Sequence, residues 1–252
     1  MRLPLFDFDP AADAVVTPSA PKTSEALPGS AVLCYFHEQI AALYEQGWAR
    51  RIGRFSVEMG GHGIYVVDRP GREPVAVFHP AVGAPAAVHA LERAIAGGSR
   101  RFVVCGGAGA LVPLPLGGVV VPTGAVRDEG TSFHYAPPSA QVPVEPAAVA
   151  AVTSVLDERS VPYTTGLTWT TDAPFRETAA KVQQRRAAGC LTVEMEASAL
   201  LAAAHFREAR LALLLYAADD LSGPVWASRD WTRADVRATL LTLAIDAAAR
   251  MD

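Results

Sequence analysis

The 252-residue chain holds only three cysteines, Cys34, Cys105 and Cys190, and contains neither C-x-x-C nor H-E-x-x-H. An odd number at irregular spacing excludes a disulfide framework and the common zinc patterns. Each cysteine lies in or beside an apolar run and is expected as a buried free thiol in a reducing compartment. No apolar run approaches the ~18 residues that a bilayer span requires. The stretch Met1 to Pro10 lacks the charged and apolar regions of a secretory signal, so a cytoplasmic location is expected. Neither sign of charge dominates. The formal net charge is -4, with acids and bases mixed along the chain, which gives no electrostatic case for nucleic acid or an anionic membrane as partner. The basic pairs Arg50-Arg51 and Arg185-Arg186 read as solvated helix faces. There is no internal repeat, no G-x-G-x-x-G and no Walker pattern.

What is present suits one α/β domain: half of the residues are hydrophobic, enough for a sizeable core at this length. Residues 1–30 differ from the rest. Pro10 to Gly29 is rich in Pro, Ala, Ser and Thr without a helical or strand period, and reads as an N-terminal tail or strap. Leu3, Leu5, Phe6 and Phe8 offer it anchors on the body, residues 31–252. There the pattern alternates. Ala31 to Tyr35 is an apolar run and His37 to Trp48 a helix. Phe55 to Met59 and Ile64 to Val67 flank a glycine-rich hairpin. Val75 to Phe78 is a strand, and Pro85 opens a helix that ends at Gly97-Gly98. Phe102 to Cys105 is a buried strand running into a turn, Gly106-Gly107-Ala108-Gly109. Val119 to Val121 precedes a polar loop through Arg127, Asp128 and His134. A helix over Pro146 to Arg159, a strand over Thr165 to Thr170 and a polar helix over Thr178 to Ala188 follow. Val193 to Glu196 leads into an Ala/Leu-rich helix, Leu211 to Tyr216 is a fully apolar strand, and Asp230 caps the last helix.

Alternating elements with continuously apolar strands imply a sheet covered by helices on both faces, with ligands beyond the C-terminal strand ends. Three strand exits carry candidate chemistry. In Val193-Glu194-Met195-Glu196-Ala197, two carboxylates flank a methionine. Such a group can accept hydrogen bonds from sugar hydroxyls while Met packs on the sugar. Equally, it can be two surface acids favoured by a helix dipole. In Leu215-Tyr216-Ala217-Ala218-Asp219-Asp220, an acid after a buried strand can be partly desolvated and act as a general acid, or cap a turn before Gly223-Pro224. The small residues Gly106 to Gly109 let backbone approach an anion, or serve packing.

Taken in order, FVVCGGAGAL from Phe102, GGVVV from Gly117, VEMEASALLAAAHF from Val193 and LLYAADDL from Leu214 resemble the nucleoside phosphorylase superfamily of uridine phosphorylases, purine nucleoside phosphorylases and nucleosidases. The likeness runs from about Val32 to the C-terminus. It implies a single α/β domain with a central mixed β-sheet, partly barrel-like, flanked by helices on both faces. It implies nucleoside and phosphate as substrates, no metal or organic cofactor, and a homodimer or trimer-of-dimers hexamer. By position, Glu196 resembles the carboxylate that holds the ribose hydroxyls, with Met195 against the sugar and Glu194 nearby. Asp219 resembles the acid at a purine leaving group. Thr171, Phe175 and Arg176 fall in the base-recognition region, and Gly107 and Ala108 where the family's backbone meets phosphate. The implied reaction is phosphorolysis of a purine or pyrimidine nucleoside to free base and (deoxy)ribose 1-phosphate.

The chain also departs from that pattern. The family's Gly-Asp-Pro-x-Arg turn is replaced by Leu33-Cys34-Tyr35-Phe36-His37-Glu38-Gln39-Ile40, its second phosphate arginine by Val104, and its hydroxyl donor by Ala108. Phosphate binding rests on such charge-assisted bonds. Arg127, Arg176, or Arg51 or Arg54 of a neighbouring subunit are possible replacements. Two alternatives follow: a nucleosidase in which Glu38 activates water, or a homologue that binds a nucleoside without turnover.

Overall fold

The computed structural model describes residues 3–57, 60–230 and 232–251. Strands β2 (Ser30–Cys34) and β5 (Val75–Phe78) are buried at every position, as apolar strands covered on both faces must be. They run parallel to each other, and β2 runs parallel to β6 (Arg101–Ala110). The antiparallel pair β3 (Arg50–Val57) and β4 (Gly60–Val67) extends this half, and β1 (Lys22–Thr23) pairs with its outer edge.

Beyond β6 come β10 (Cys190–Glu194), β9 (Tyr163–Thr171), β7 (Val119–Asp128) and β11 (Arg210–Asp220), and β11 pairs back onto β6. Those five strands close a barrel fused through β6 to the open half of the sheet. The short β8 (Gln141–Pro143) pairs with β7. Helices α1 (His37–Glu45), α2 (Ala84–Ala96), α3 (Pro146–Glu158), α4 (Ala179–Ala187), α5 (Ala197–Phe206) and α6 (Ala234–Ala248) flank the strands. Every residue of α5 from Ala197 to Ala204 is buried. That suits its all-round Ala/Leu composition: small side chains let it pack between α2 and the barrel strands. The core gathers between these layers, and all three cysteines are buried and free.

Several element boundaries differ from the sequence reading. The glycine run is no turn: Gly106 to Ala110 continue β6, paired to β11 through Leu215–Gly106 and Tyr216–Gly107 and to β10 through Val193–Gly109. Glycine serves close approach here. A Cβ on Gly109 would come within 2.6 Å of the Leu221 side chain and 3.0 Å of Val193. Arg127 and Asp128 belong to β7 rather than to a loop, because β7 keeps its pairing with β9 as far as Asp128–Thr171. The first helix stops at Glu45, since Gly47 takes a positive φ of 74°. Arg50 and Arg51 open β3 rather than lying on a helix. Asp230 caps nothing: it has φ 50°, and α6 starts at Ala234 after Arg233. Of the expected strand over 55–59, β3 accounts for residues up to Val57, and Met59 lies outside the described residues.

The N-terminal segment is tied to the body at several points. Phe6 meets Phe133 edge-on at 5.1 Å and Phe8 meets Phe206 at 6.5 Å. Arg207 donates to the Ala12 carbonyl, and Arg93 to that of Ser19. No helix among the described residues is long and apolar enough to cross a membrane.

Candidate active site

The site forms where β10 gives way to α5. An α-helix begins with unpaired N–H groups, and here the last residue of β10 supplies their acceptor. Glu194 Oε2 accepts from the backbone N–H of Glu196 (2.7 Å) and Ala197 (2.6 Å). Glu194 Oε1 accepts from the Thr170 hydroxyl at 2.7 Å, and Thr170 in turn accepts from Ser198 N–H. Burial nevertheless dominates, and pushes the Glu194 carboxyl up to about 7. Glu196, only 7% exposed, is pushed up to about 8 by burial and then by the neighbouring Glu194. One oxygen of Glu196 accepts from Gly83 N–H at 2.5 Å. Gly83 sits at φ 96°, ψ 142° before α2, a conformation reserved in practice for glycine. Glu194 is therefore the residue that shapes the α5 start and positions Glu196. Glu196, near neutrality in its charge, can accept from a hydroxyl or donate to one.

Met195 lies between the two acids and forms part of two adjoining cavities, of about 610 and 470 Å³, which also share Gly107 and Glu194. The larger cavity is walled by Phe175, Glu177, Asp219, Leu221 and Trp226, with Ala108 and Gly109 at its floor. Asp219 Oδ2 accepts from the Trp226 indole N–H at 2.7 Å. Burial, and then Asp219, push Glu177 up to about 7. The adjacent Asp220 is a different kind of group. Burial would raise its pKa, but hydrogen bonds from Ser222 and the charge of Arg229, 3.6 Å away, outweigh it and hold it low. Asp219 faces the cavity while Asp220 holds the connection to α6.

The smaller cavity is walled by Tyr35, Val104, Gly106, Glu196 and Arg237. Arg237, on α6, donates from Nε to the Tyr216 hydroxyl at 3.1 Å and from Nη1 to Glu38 Oε1 at 2.8 Å. A phosphorylase superfamily profile matches residues 31–251. The chain belongs to the phosphorylase superfamily.

A stretch of 126 residues is 32% identical to the guanosine phosphorylase of Halorubrum lacusprofundi, which is 49% of this chain and 52% of that protein. The fold is shared with the purine nucleoside phosphorylase of Toxoplasma gondii solved in complex with immucillin-H (TM-score 0.77, 18% identity, 94% of this chain and 96% of that one). It is also shared with the uridine phosphorylase of Vibrio fischeri ES114 (TM-score 0.73, 20% identity, 88% and 92%).

The structure brings together Glu194, Met195, Glu196, Gly107, Ala108, Phe175 and Asp219 around these two adjoining cavities. It places other candidates elsewhere. Thr171 is buried and accepts from Ala173 N–H, and neither it nor Arg176 is among the cavity walls. Glu38 is absent from the walls as well. Burial would raise its pKa, but Arg237, foremost among the opposing influences, holds it below the usual carboxylate range. Arg127 is committed to residues 132–139, donating to Ser132, Ser139 and the carbonyls of Ala136 and Pro137. Arg51 and Arg54 line a separate hollow with Lys22 and Arg93.

Arg237, Tyr35, Glu177 and Trp226 escaped the sequence reading. Arg237 had a legible signal. It stands on the stripe formed with Leu240, Leu241 and Ala244, at i, i+3, i+4 and i+7, where an apolar residue belongs. A charge on the buried stripe of a helix marks a position held for something other than packing.

Proposed function

We propose that this chain cleaves the N-glycosidic bond of a nucleoside with phosphate, releasing free base and a (deoxy)ribose 1-phosphate. The carrying observation is that Glu196 and Asp219, from different strand exits, line two adjoining cavities that share Met195, Glu194 and Gly107. Glu196 would hold the sugar hydroxyls and Met195 pack on the ring. Phe175 and Trp226 would flank the base. The C1′–N bond breaks with its electron pair moving to the base, while a phosphate oxygen bonds to C1′. Asp219, with Glu177 beside it, supports the departing base by hydrogen bonding or proton delivery, a contribution of roughly 10²–10⁴-fold. Fixed groups on the hydroxyls contribute positioning. The acidic wall formed by Glu177 and Asp219 matches N–H donors on a purine edge, and the part-length likeness to a guanosine phosphorylase points the same way.

Phosphate is favoured over water as nucleophile because Glu38, the base that a hydrolytic mechanism would use here, is turned to Arg237 and weakened by it. Base release from guanosine, inosine, adenosine and uridine, measured with and without phosphate, tests the reading. Release that requires phosphate supports it. Equal release in both buffers makes the protein a nucleosidase, and no release in either makes it a nucleoside-binding homologue.

A further inference from the structure

The proposed reaction needs a cation for its anionic co-substrate, and the stretch Leu33 to Ile40 and position 104, a valine, carry no arginine. Arg237 enters the same cavity from the opposite element, α6. Its side chain is 11% exposed, it touches the wall beside Gly106 and Tyr35, and it lies 5.0 Å from the centre of the Phe36 ring. One edge is fixed by the Tyr216 hydroxyl. The partner on Nη1 is of another character. Glu38 stands in the first turn of α1 with its side chain 37% exposed, and its second oxygen is 3.6 Å from His37 Nδ1, itself 84% exposed. Glu38 therefore has both water and His37 available if it leaves Arg237. A second observation concerns Tyr35, which lines the same cavity: its hydroxyl is buried and has no hydrogen-bond partner among the described residues. A buried donor without an acceptor is unfavourable, and an oxyanion or hydroxyl entering the cavity would satisfy it.

We propose that Arg237 is the seat for the phosphate co-substrate, and that the Glu38 carboxylate is a placeholder which phosphate displaces. The identity of the anion rests on the phosphorolytic reading above. The exchange is chemically balanced: one carboxylate leaves the guanidinium for solvent and His37, and one phosphate oxygen pair replaces it in the planar, two-toothed geometry that arginine favours. Tyr35 donates its unused hydroxyl to the same ligand or to the sugar oxygen beside it. Glycine at 106 and 107 leaves room for the ligand against β6, since a Cβ on Gly106 would already lie 3.3 Å from the Tyr35 ring.

The placeholder makes an unusual demand. Glu38→Gln should lower the KM for phosphate, by about threefold or more, because a neutral amide competes less well for the guanidinium. Arg237→Gln should raise it by roughly tenfold or more, equivalent to about 1.4 kcal/mol, while KM for the nucleoside changes less than twofold. Arg237→Lys keeps the charge without the fork and should fall between, and Tyr35→Phe should weaken phosphate severalfold. Binding of inorganic phosphate to each full-length protein, followed by calorimetry alongside turnover, separates the two proposals. If wild-type turnover requires phosphate but neither Arg237 variant alters its KM, the seat is wrong and phosphorolysis stands. If turnover ignores phosphate while phosphate still binds, less tightly in Arg237→Lys and more tightly in Glu38→Gln, the seat stands and phosphorolysis falls. If Glu38→Gln abolishes turnover with phosphate affinity unchanged, the placeholder is overturned and Glu38 is the base of a hydrolase.

Discussion

Replacing Glu196 by glutamine should make the ligand-free protein more stable at neutral pH, although the residue lies at the centre of the site. The carboxyl is pushed from its ordinary value of 4.5 to about 8 by burial beside Glu194. Between those values the folded protein keeps a proton that the unfolded chain has released, so stability falls as pH rises through the window. Each pH unit is worth about 1.4 kcal/mol, or roughly 3 kcal/mol by pH 7. Glutamine carries no charge to desolvate and keeps an oxygen for the Gly83 N–H, though as a weaker acceptor, which leaves a net gain of about 2 kcal/mol. For a domain of this length that corresponds to a Tm about 4–8 °C higher. Scanning calorimetry of both proteins from pH 4.5 to 8 reads the difference directly. The gain should be largest at pH 7 to 8 and shrink below about 2 °C near pH 4.5. A variant that is less stable at pH 7.5, or whose advantage does not vary with pH, would refute the account of Glu196 as a desolvated acid. Its nucleoside affinity should fall meanwhile, because glutamine replaces the carboxyl proposed to hold the sugar hydroxyls.

Two further outcomes follow from the geometry. Asp219→Asn should slow base release roughly 10²-fold or more, whereas Asp220→Asn should mainly lower Tm through its lost contact with Arg229; steady-state kinetics and thermal melts of the pair distinguish these roles, and equal kinetic losses would sink the assignment. Thr170→Val removes both the donor to Glu194 and the acceptor for Ser198 N–H, so it should cost about 1–3 kcal/mol in urea unfolding; a change below about 0.5 kcal/mol would show that the α5 start does not depend on this relay.

The order of strands and helices was legible because it rests on apolar runs of the right length. β2, β5 and β11 are buried through most or all of their length, and uninterrupted hydrophobicity records that directly. The glycine run misled because glycine marks both turns and crowded strands. Only the partners across the sheet, Tyr216, Val193 and Leu221, reveal which applies at Gly107 and Gly109. At the site, the acids Glu194, Glu196 and Asp219 were legible as motifs, but their unequal tasks were not. That Glu194 supports the helix start while Glu196 faces the cavity depends on side-chain direction at one bend in the backbone. The placement of Arg237 depends on a contact between residues 199 positions apart, beyond any local pattern.

The two joined cavities are built from different material. Around the smaller cavity, β6 is bonded to β2, β10 and β11 and cannot yield without disturbing the barrel. Around the larger cavity, much of the wall comes from the 3-10 turn Pro174–Arg176 with Glu177 and from Leu221 and Trp226 after β11, which bear little of the core. On the proposed reading, preference for one base over another can therefore change by substitutions that leave folding stability nearly untouched, whereas preference for the sugar is bound up with the foldability of the barrel itself. Laboratory selection for a new base should succeed through residues 174–177 and 221–226 within few steps, and selection for a new sugar should run first into unstable protein.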